Sequence, residues 1–93
     1  MNFFVYLIVS QSSNNLISYV GYTNNLKKRI TEHNSSKGAK FTRGRKWKLA
    51  YSKRYISKSI AMREEYKLKK NIKLRNKIKF KFKKNENFNI TPL

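Results

Sequence analysis

The fold of this chain is decided near its start by Phe3–Tyr22, which has the sequence FFVYLIVSQSSNNLISYVGY. Its first part, Phe3–Val9, is entirely β-branched, aliphatic or aromatic, a pattern typical of a strand buried on both faces. The next six residues, Ser10–Asn15 (SQSSNN), have the composition of a turn. Leu16–Tyr22 (LISYVGY) predicts a second strand, so that the two strands form a hairpin.

The turn also predicts how the two strands pair. If Val9 faces Leu16 across the turn, Tyr6 lies directly opposite Tyr19. Cross-strand partners share a face of the sheet, with Cβ atoms about 4.5–5.5 Å apart, so two phenols would stand side by side. The pairing depends on the register, because a slip of one residue moves a side chain to the other face.

A short helix is predicted directly after the hairpin. Thr23–Asn25 (TNN) has the composition of a helix start. Leu26 and Ile30 then lie one turn apart on the side that would be buried. Arg29 and His33 are also four residues apart and share another face of the same helix.

A loop, a third strand and a second helix are predicted next. Residues 34–46 (NSSKGAKFTRGRK) lose apolar periodicity and contain two glycines, as expected of a loop. Trp47–Tyr55 (WKLAYSKRY) alternates apolar and other residues, which predicts a strand with one wet face. Ser57 or Ser59 can cap the next helix, which runs to about Lys70. Its apolar stripe consists of Ala61, Leu68 and Ile72.

The predicted architecture is an α+β domain with a small, three-stranded, mainly antiparallel sheet flanked by helices. Residues 1–72 form this domain. Residues 73–93 form a basic C-terminal extension that is not a separate domain: residues 73–84 hold seven basic side chains in twelve and end in the alternating run IKFKFKK. Helix and strand are both open for that run, and residues 85–93 are expected to fray.

The composition excludes several kinds of site. A chain of 93 residues allows one domain. The absence of cysteine excludes disulfides and thiolate metal sites, and a single histidine excludes a His-rich zinc centre. The four acidic residues are all glutamates. A two-metal nuclease gathers several carboxylates around ions about 3.5–4 Å apart, which this chain can hardly supply.

The charge balance favours a polyanionic partner. The chain has 23 Lys and Arg against four Glu, for a formal charge of +19 at pH 7. The simpler alternative is that some of its lysines are surface residues without any contact, as expected of an AT-rich genome. The longest apolar run, Phe3–Val9, is too short to span a bilayer, and it lacks the flanks of a signal peptide. We therefore expect a soluble cytoplasmic protein, nucleoid-associated in a bacterium, with no membrane partner.

Five ordered blocks of the sequence resemble the signature of the GIY-YIG nucleases. They are Phe4-Val5-Tyr6, Tyr19-Val20-Gly21, Asn25-Leu26 with Arg29 and His33, residues 37–44 (KGAKFTRG) and residues 61–69 (AMREEYKLK). The resemblance covers roughly residues 4–72. It is to small single-domain bacterial members, related to the catalytic domain of structure-selective endonucleases. Phe4 departs from the pattern, because it stands where the glycine that names the family would be.

The resemblance implies a metal-dependent DNA endonuclease that hydrolyses phosphodiester bonds. Glu65 would hold one Mg²⁺ or Mn²⁺ ion, and Arg29 would clamp the scissile phosphate. Tyr6 and Tyr19 would supply phenols near the attacking water, and one of them would act as the general base. We favour Tyr19 as that base, because it lies close to Gly21, where backbone can approach a phosphate. One carboxylate suits a one-metal site whose other ligands are phosphate and water.

The remaining expectations concern the substrate. His33 would line the site, and the loop would contact DNA phosphates through Lys37, Lys40, Thr42 and Arg43. Cleavage is expected to be structure-directed or weakly sequence-specific. Single-stranded, flapped and branched DNA are all open as substrates, in repair or recombination.

The residues by themselves leave alternatives open. The whole chain could be a non-catalytic basic nucleic-acid-binding protein. Tyr6 and Tyr19 could be ordinary hairpin aromatics, Arg29 a solvated helix residue, and His33 structural. The neighbouring Glu64 is the alternative to Glu65 as metal ligand, because both lie on flanks of the apolar stripe and only the resemblance selects Glu65. A lone carboxylate beside phosphates favours the nuclease, since a binding module has no use for one.

Overall fold

The computed structural model describes residues 2–90, and the surroundings of side chains up to residue 85. Within these residues the chain forms one antiparallel sheet with helices on it, an α+β fold that confirms the predicted class. The elements in chain order are β1 (Phe3–Ser12), β2 (Asn15–Thr23), α1 (Leu26–Asn34), a 3-10 turn (Lys40–Thr42), β3 (Lys48–Tyr55), α2 (Lys58–Lys70) and α3 (Ile72–Ile90).

The three strands lie in the order β2-β1-β3, and both pairings are antiparallel. The hairpin is longer than predicted, because the polar residues assigned to the turn continue the ladder as far as Ser12 opposite Asn15. This leaves a two-residue connection in which Ser13 adopts a left-handed φ of 53°. Polar side chains are tolerated in these positions because that end of the ladder is open to solvent.

The predicted register is therefore wrong by two residues. Tyr6 lies opposite Gly21, and Tyr19 lies opposite Ile8. A shift of two residues preserves the face on which each side chain points, because side chains alternate with a period of two. Tyr6 and Tyr19 therefore share a face as predicted, but they are diagonal neighbours instead of direct partners.

Strand β1 is buried on both faces, as its composition predicts. Val5, Leu7 and Val9 form one core cluster with Val20, together with Ala61 and Leu68 of α2 and the half-buried Ile78 and Phe82 of α3. Tyr6 and Ile8 point to the other face and form a second cluster with Trp47, packed against Ile17, Tyr19, Leu26 and Ile30. The helices α2 and α3 thus cover one face of the sheet, and α1 with the following loop covers the other.

Helix α2 begins at the predicted cap, since Ser57 Oγ accepts a hydrogen bond from the Ile60 amide. Ala61 and Leu68 are buried as predicted, but Ile72 is 61% exposed and does not continue the stripe. The reason is that α2 ends at Lys70. Asn71 then starts a new helix by accepting a hydrogen bond from the Leu74 amide at 3.0 Å, and the chain changes direction.

The basic segment, residues 73–84, is helical, which decides between the helix and the strand that the sequence left open. Its Ile78 and Phe82 pack against the first core cluster, and Lys79 Nζ donates to the Leu16 carbonyl at 3.4 Å. The expectation that the chain frays from residue 85 is wrong for residues 85–90, which belong to α3; residues 91–93 lie outside the described residues. Among the residues that the structure covers, none of the helices has the length and apolar character needed to cross a bilayer.

Candidate active site

Helix α1 carries two of the predicted site residues to the face of the sheet that contains Tyr6. Asn25 caps the helix, because its side-chain oxygen accepts a hydrogen bond from the Lys28 amide at 3.1 Å. The helix then brings His33 over the sheet, where its side chain is fully buried. Arg29, one turn earlier, keeps a third of its side chain exposed. The site therefore has a buried imidazole beside a solvent-accessible guanidinium.

A chain of hydrogen bonds runs from Tyr6 through His33 to Thr42. The Tyr6 hydroxyl lies 2.7 Å from His33 Nε2, and His33 Nδ1 lies 2.9 Å from Thr42 Oγ1. The Thr42 hydroxyl donates its proton to the Ala39 carbonyl at 2.7 Å, so it must accept from His33. A neutral His33 therefore carries its proton on Nδ1, and Nε2 accepts the proton of the Tyr6 hydroxyl.

Two glycines make room for this chain of hydrogen bonds. A Cβ atom at Gly21 would lie 2.6 Å from Cζ of Tyr6, and one at Gly38 would lie 3.0 Å from Cε1 of His33. The first would collide with the phenol ring, and the second with the imidazole. The sequence predicted a close approach at Gly21, and the structure identifies the approaching group as the phenol of Tyr6.

The electrostatics keep both rings uncharged at neutral pH. Burial raises the pKa of Tyr6 to about 12, although a hydrogen bond from Arg29 and the charge of Arg29 act in the opposite direction. Burial also lowers the pKa of His33, and the charge of Arg29 lowers it further. Tyr6 is then a protonated donor and His33 a neutral acceptor, in agreement with the direction of their hydrogen bond.

Arg29 has a partner that the sequence analysis did not single out. Its Nη1 lies 3.0 Å from Oε1 of Glu32, three residues along the same helix. Burial would lower the pKa of Arg29, but hydrogen bonds to Glu32 and Tyr6 raise it overall, so the guanidinium stays charged. The spacing of the pair was available as a signal, since opposite charges three residues apart meet on a helix.

The structure distinguishes the adjacent Glu64 and Glu65, which helical phase alone could not. Glu64 lies 3.4 Å from Nζ of Lys67, and its charge acts on Tyr55 of β3. Glu65 is the more buried of the two, with 18% of its side chain exposed against 28% for Glu64. It lies 3.7 Å from Nζ of Lys69, and its charge acts on Tyr6. The two carboxylates therefore act on different tyrosines: the charge of Glu65 reaches Tyr6, and the charge of Glu64 reaches Tyr55.

The donor set near Glu65 fits a hard cation that takes most of its ligands from elsewhere. In the part of the chain that the structure describes, no three acidic or histidine side chains come together in a metal-binding group. A complete protein cage is thus absent from those residues. A single carboxylate oxygen suits Mg²⁺, which keeps several waters and is bound by one or two carboxylates together with substrate phosphates.

The predicted DNA-contacting residues divide into two groups. Lys37, Lys40 and Arg43 are exposed on the loop between α1 and β3. Thr42 is fully buried, and its hydroxyl is engaged by His33 and the Ala39 carbonyl. This placement leaves Thr42 no surface for a phosphate, so it orients the imidazole instead.

Trp47 and Asn34 hold this loop in place, and the sequence analysis assigned neither a role in the site. The buried indole of Trp47 donates from Nε1 to the Thr42 carbonyl at 2.9 Å. The Asn34 side chain accepts from the Trp47 amide at 2.6 Å and donates to the Trp47 carbonyl at 3.1 Å. Because Thr42 sets the orientation of His33, these bonds also hold the imidazole in place. An asparagine at a helix end followed by a tryptophan thirteen residues later carries no such signal in the sequence.

The comparison with protein families agrees with this arrangement. The family model of the GIY-YIG catalytic domain matches residues 2–86. The chain belongs to the GIY-YIG family. GIY-YIG domains are nuclease domains that act on DNA and generally use divalent metals, so the family supports an endonuclease at a coarse level.

Several UPF0213 proteins are similar to this GIY-YIG chain. OB0043 of Oceanobacillus iheyensis is 54% identical over 52 residues, which are 55% of this chain and 60% of that protein. SH2523 of Staphylococcus haemolyticus is 48% identical over 63 residues, 67% of this chain and 74% of that protein. The solution structure of BH0048 from Bacillus halodurans is 43% identical, covers 74% of this chain and 71% of its own, and has a TM-score of 0.40. The chain spans 60% of the length of OB0043, and 61% and 53% of the length of two further UPF0213 proteins, from Natronomonas pharaonis and Bacillus pumilus.

Proposed function

We propose that this GIY-YIG protein is a divalent-metal-dependent DNA endonuclease that hydrolyses phosphodiester bonds with structure-directed or weak sequence preference. One observation carries the proposal: the hydrogen-bonded pair of Tyr6 and His33 lies beside the charged Arg29, and the charge of Glu65 reaches Tyr6. A surface that only binds DNA needs cations, but it does not need a buried phenol and imidazole with a defined proton direction. The net charge of +19 supplies the attraction for the substrate.

Arg29 binds the scissile phosphate in this mechanism. Its guanidinium already holds a carboxylate, that of Glu32, in a contact of 3.0 Å. A phosphodiester offers two oxygens and the same single negative charge, and the planar fork of arginine bonds two such oxygens at once, against the one contact with Glu32. Entry of the phosphate therefore replaces the Glu32 contact. In the transition state the guanidinium stabilises the charge that develops on the phosphate oxygens.

Tyr6 and His33 together move the proton of the attacking water. With a pKa of about 12, Tyr6 is almost entirely protonated at neutral pH, so it cannot act as a free phenolate base. Tyr6 is 1% exposed, so its hydroxyl meets only a water that enters the site with the substrate; the hydroxyl accepts a proton from that water while it passes its own proton to Nε2 of His33, 2.7 Å away. We therefore assign the base role to the Tyr6–His33 pair and not to Tyr19, which the sequence favoured.

Glu65 would hold the divalent cation, Mg²⁺ or Mn²⁺. When bound, the ion supplies Lewis-acid stabilisation of charge on the phosphate. Glu65 itself must leave its contact with Lys69, which is 3.7 Å away, to offer an oxygen to the cation. Lys37, Lys40 and Arg43 bind the flanking phosphates. We place the activity in the cytoplasm, on nucleoid DNA, in repair or recombination.

The proposal is tested with the purified chain and a panel of single-stranded, flapped, branched and duplex DNA, with Mg²⁺, with Mn²⁺ and with chelator. We expect metal-dependent cleavage of at least one structure. Replacing Glu65 with Gln should reduce cleavage to background and weaken metal binding, whereas DNA binding persists because a negative charge is removed.

Glu64→Gln is the matched control, because it makes the same chemical change on the adjacent residue that faces Tyr55. It should cleave like the wild type. Retained cleavage in Glu65→Gln with loss in Glu64→Gln would reverse the assignment of the metal ligand. DNA binding without cleavage of any structure would favour the non-catalytic binding protein.

A further inference from the structure

An exposed aromatic ring lies next to the candidate site. Phe41, in the middle of the 3-10 turn, is 54% exposed although the side chain that follows it is completely buried. Its ring stacks on Tyr19 with an interplanar angle of 20° and 6.2 Å between centroids. It also contacts Trp47, again with 6.2 Å between centroids. One face of Phe41 thus belongs to an aromatic cluster, and the rest of the ring is open to solvent.

The ring is held at this position by the backbone of its turn. The Thr42 amide donates to the Ala39 carbonyl at 2.9 Å, and the Trp47 indole holds the Thr42 carbonyl. Thr42 is in turn anchored by His33. A phenylalanine between such anchors loses little conformational entropy when it binds a ligand, because its position is already fixed.

One cation lies over the ring of Phe41, and two more are exposed on the same loop. The guanidinium carbon of Arg45 lies 5.9 Å from the centroid of Phe41, and Lys40 and Arg43 are exposed on the same loop. The loop at residues 34–46 contains no acidic residue. A purely apolar partner would have to desolvate these charges without compensation. A chain that carries both flat apolar rings and phosphates matches the ring and the cations together.

The position of the ring relates it to the proposed chemistry. Tyr19 lies between Phe41 and the site, since its ring centroid is 5.2 Å from that of His33. A nucleotide on Phe41 would therefore lie on the aromatic cluster that contacts His33. In a duplex the faces of the bases are already stacked on one another, so only an unpaired base can offer a face to Phe41.

We propose that Phe41 and Arg45 form a stacking platform for an unpaired nucleobase of the strand that is cut. This inference rests on the proposed function and specifies its substrate class: DNA that has unpaired nucleotides next to the scissile phosphate. Duplex DNA without unpaired bases binds only through the cations of the loop.

The test measures binding in the presence of chelator, so that no cleavage is required. The affinity of the full chain for a single-stranded oligonucleotide and for a duplex of equal length is compared at one fixed salt concentration. Phe41→Leu keeps an apolar side chain but removes the aromatic face. It should weaken single-strand binding about 5- to 150-fold, the range measured for base–aromatic stacking, and leave duplex binding unchanged.

Two further variants serve as controls. Phe41→Trp retains a stacking face and should bind single strands like the wild type. Phe80→Leu makes the same change at an exposed phenylalanine of α3 and should alter neither affinity. Equal losses for single strand and duplex in Phe41→Leu, or no loss for either, would overturn the platform. A wild-type protein that cleaves no DNA but shows the selective loss would support the platform and overturn the nuclease.

Discussion

The two faces of strand β1 differ in chemistry although their residues alternate in one short segment. On one face Val5, Leu7 and Val9 pack against helices α2 and α3, and their contacts are apolar. On the other face Tyr6 is equally buried, but its hydroxyl donates to His33. The first face contributes stability through removal of apolar area from water. The second uses burial to fix a proton direction and to shift two pKa values.

This difference predicts that substitutions of neighbouring residues on β1 have separable effects. A change on the apolar face should alter the free energy of unfolding and leave the chemistry of the remaining folded protein intact. A change that removes a polar atom on the site face should reduce activity and alter the free energy of unfolding much less. Substitutions on the two faces therefore test whether stability and activity separate on β1.

Tyr6→Phe should lower single-turnover cleavage about 10²- to 10⁴-fold, the usual contribution of general acid–base groups. The ring is kept, so the packing over Gly21 is preserved and the protein should remain folded by circular dichroism. DNA affinity should be unchanged. Tyr19→Phe is the matched control on the same face and should lose less. If Tyr19→Phe shows the larger loss, the sequence-based assignment of the base is correct and the relay through His33 is not.

Leu7→Ala should lower the free energy of unfolding by about 2–5 kcal/mol, because Leu7 is fully buried and the change leaves a cavity. Urea denaturation of the variant and of Tyr6→Phe gives the comparison, and the second variant should lose about 1 kcal/mol for its missing hydrogen bond. Cleavage by Leu7→Ala, measured where it is still folded, should equal that of the wild type. Equal losses of stability in both variants would contradict the division between the faces.

The smallest predicted effect is the pH dependence of the free energy of unfolding. Because burial lowers the pKa of His33, the unfolded chain takes up a proton below about pH 6.5 while the folded protein still resists it. The contribution of His33 to the free energy of unfolding should therefore be constant above that pH and fall as the pH drops below it. His33 is the single histidine of the chain, so this dependence should be absent from His33→Gln between pH 5 and 6.5.

Denaturation curves at three pH values within that interval measure the effect. Parallel slopes in wild type and His33→Gln would show that the imidazole does not resist protonation. Cleavage should fall only at a lower pH, once the folded protein reaches the lowered pKa of His33, since a protonated His33 can no longer accept the proton of Tyr6.

Most of the local structure was predictable because it depends on neighbouring residues. The cap at Ser57, the start of α1 after Asn25 and the third strand follow from composition and periodicity over a few positions. The register of the hairpin was not predictable in the same way, since SQSSNN is compatible with a turn of two residues or of six. Ile72 was predicted to continue the apolar stripe of α2. It is exposed instead, because the single residue Asn71 separates α2 from α3.

The sequence by itself determined the continuous apolar run that buries both faces of β1, the strongly basic composition and the candidate groups for catalysis: two phenols on one face, the single imidazole, Arg29 and a choice between two glutamates. These features depend on identity and on local spacing. Only the tertiary structure decided how they combine. Tyr6 meets a histidine 27 residues away, Thr42 turns from a surface residue into the group that fixes the imidazole, and Glu65 separates from Glu64. Each of these depends on how α1, the loop and α2 pack on the sheet, and packing over such separations leaves no periodic pattern in the chain.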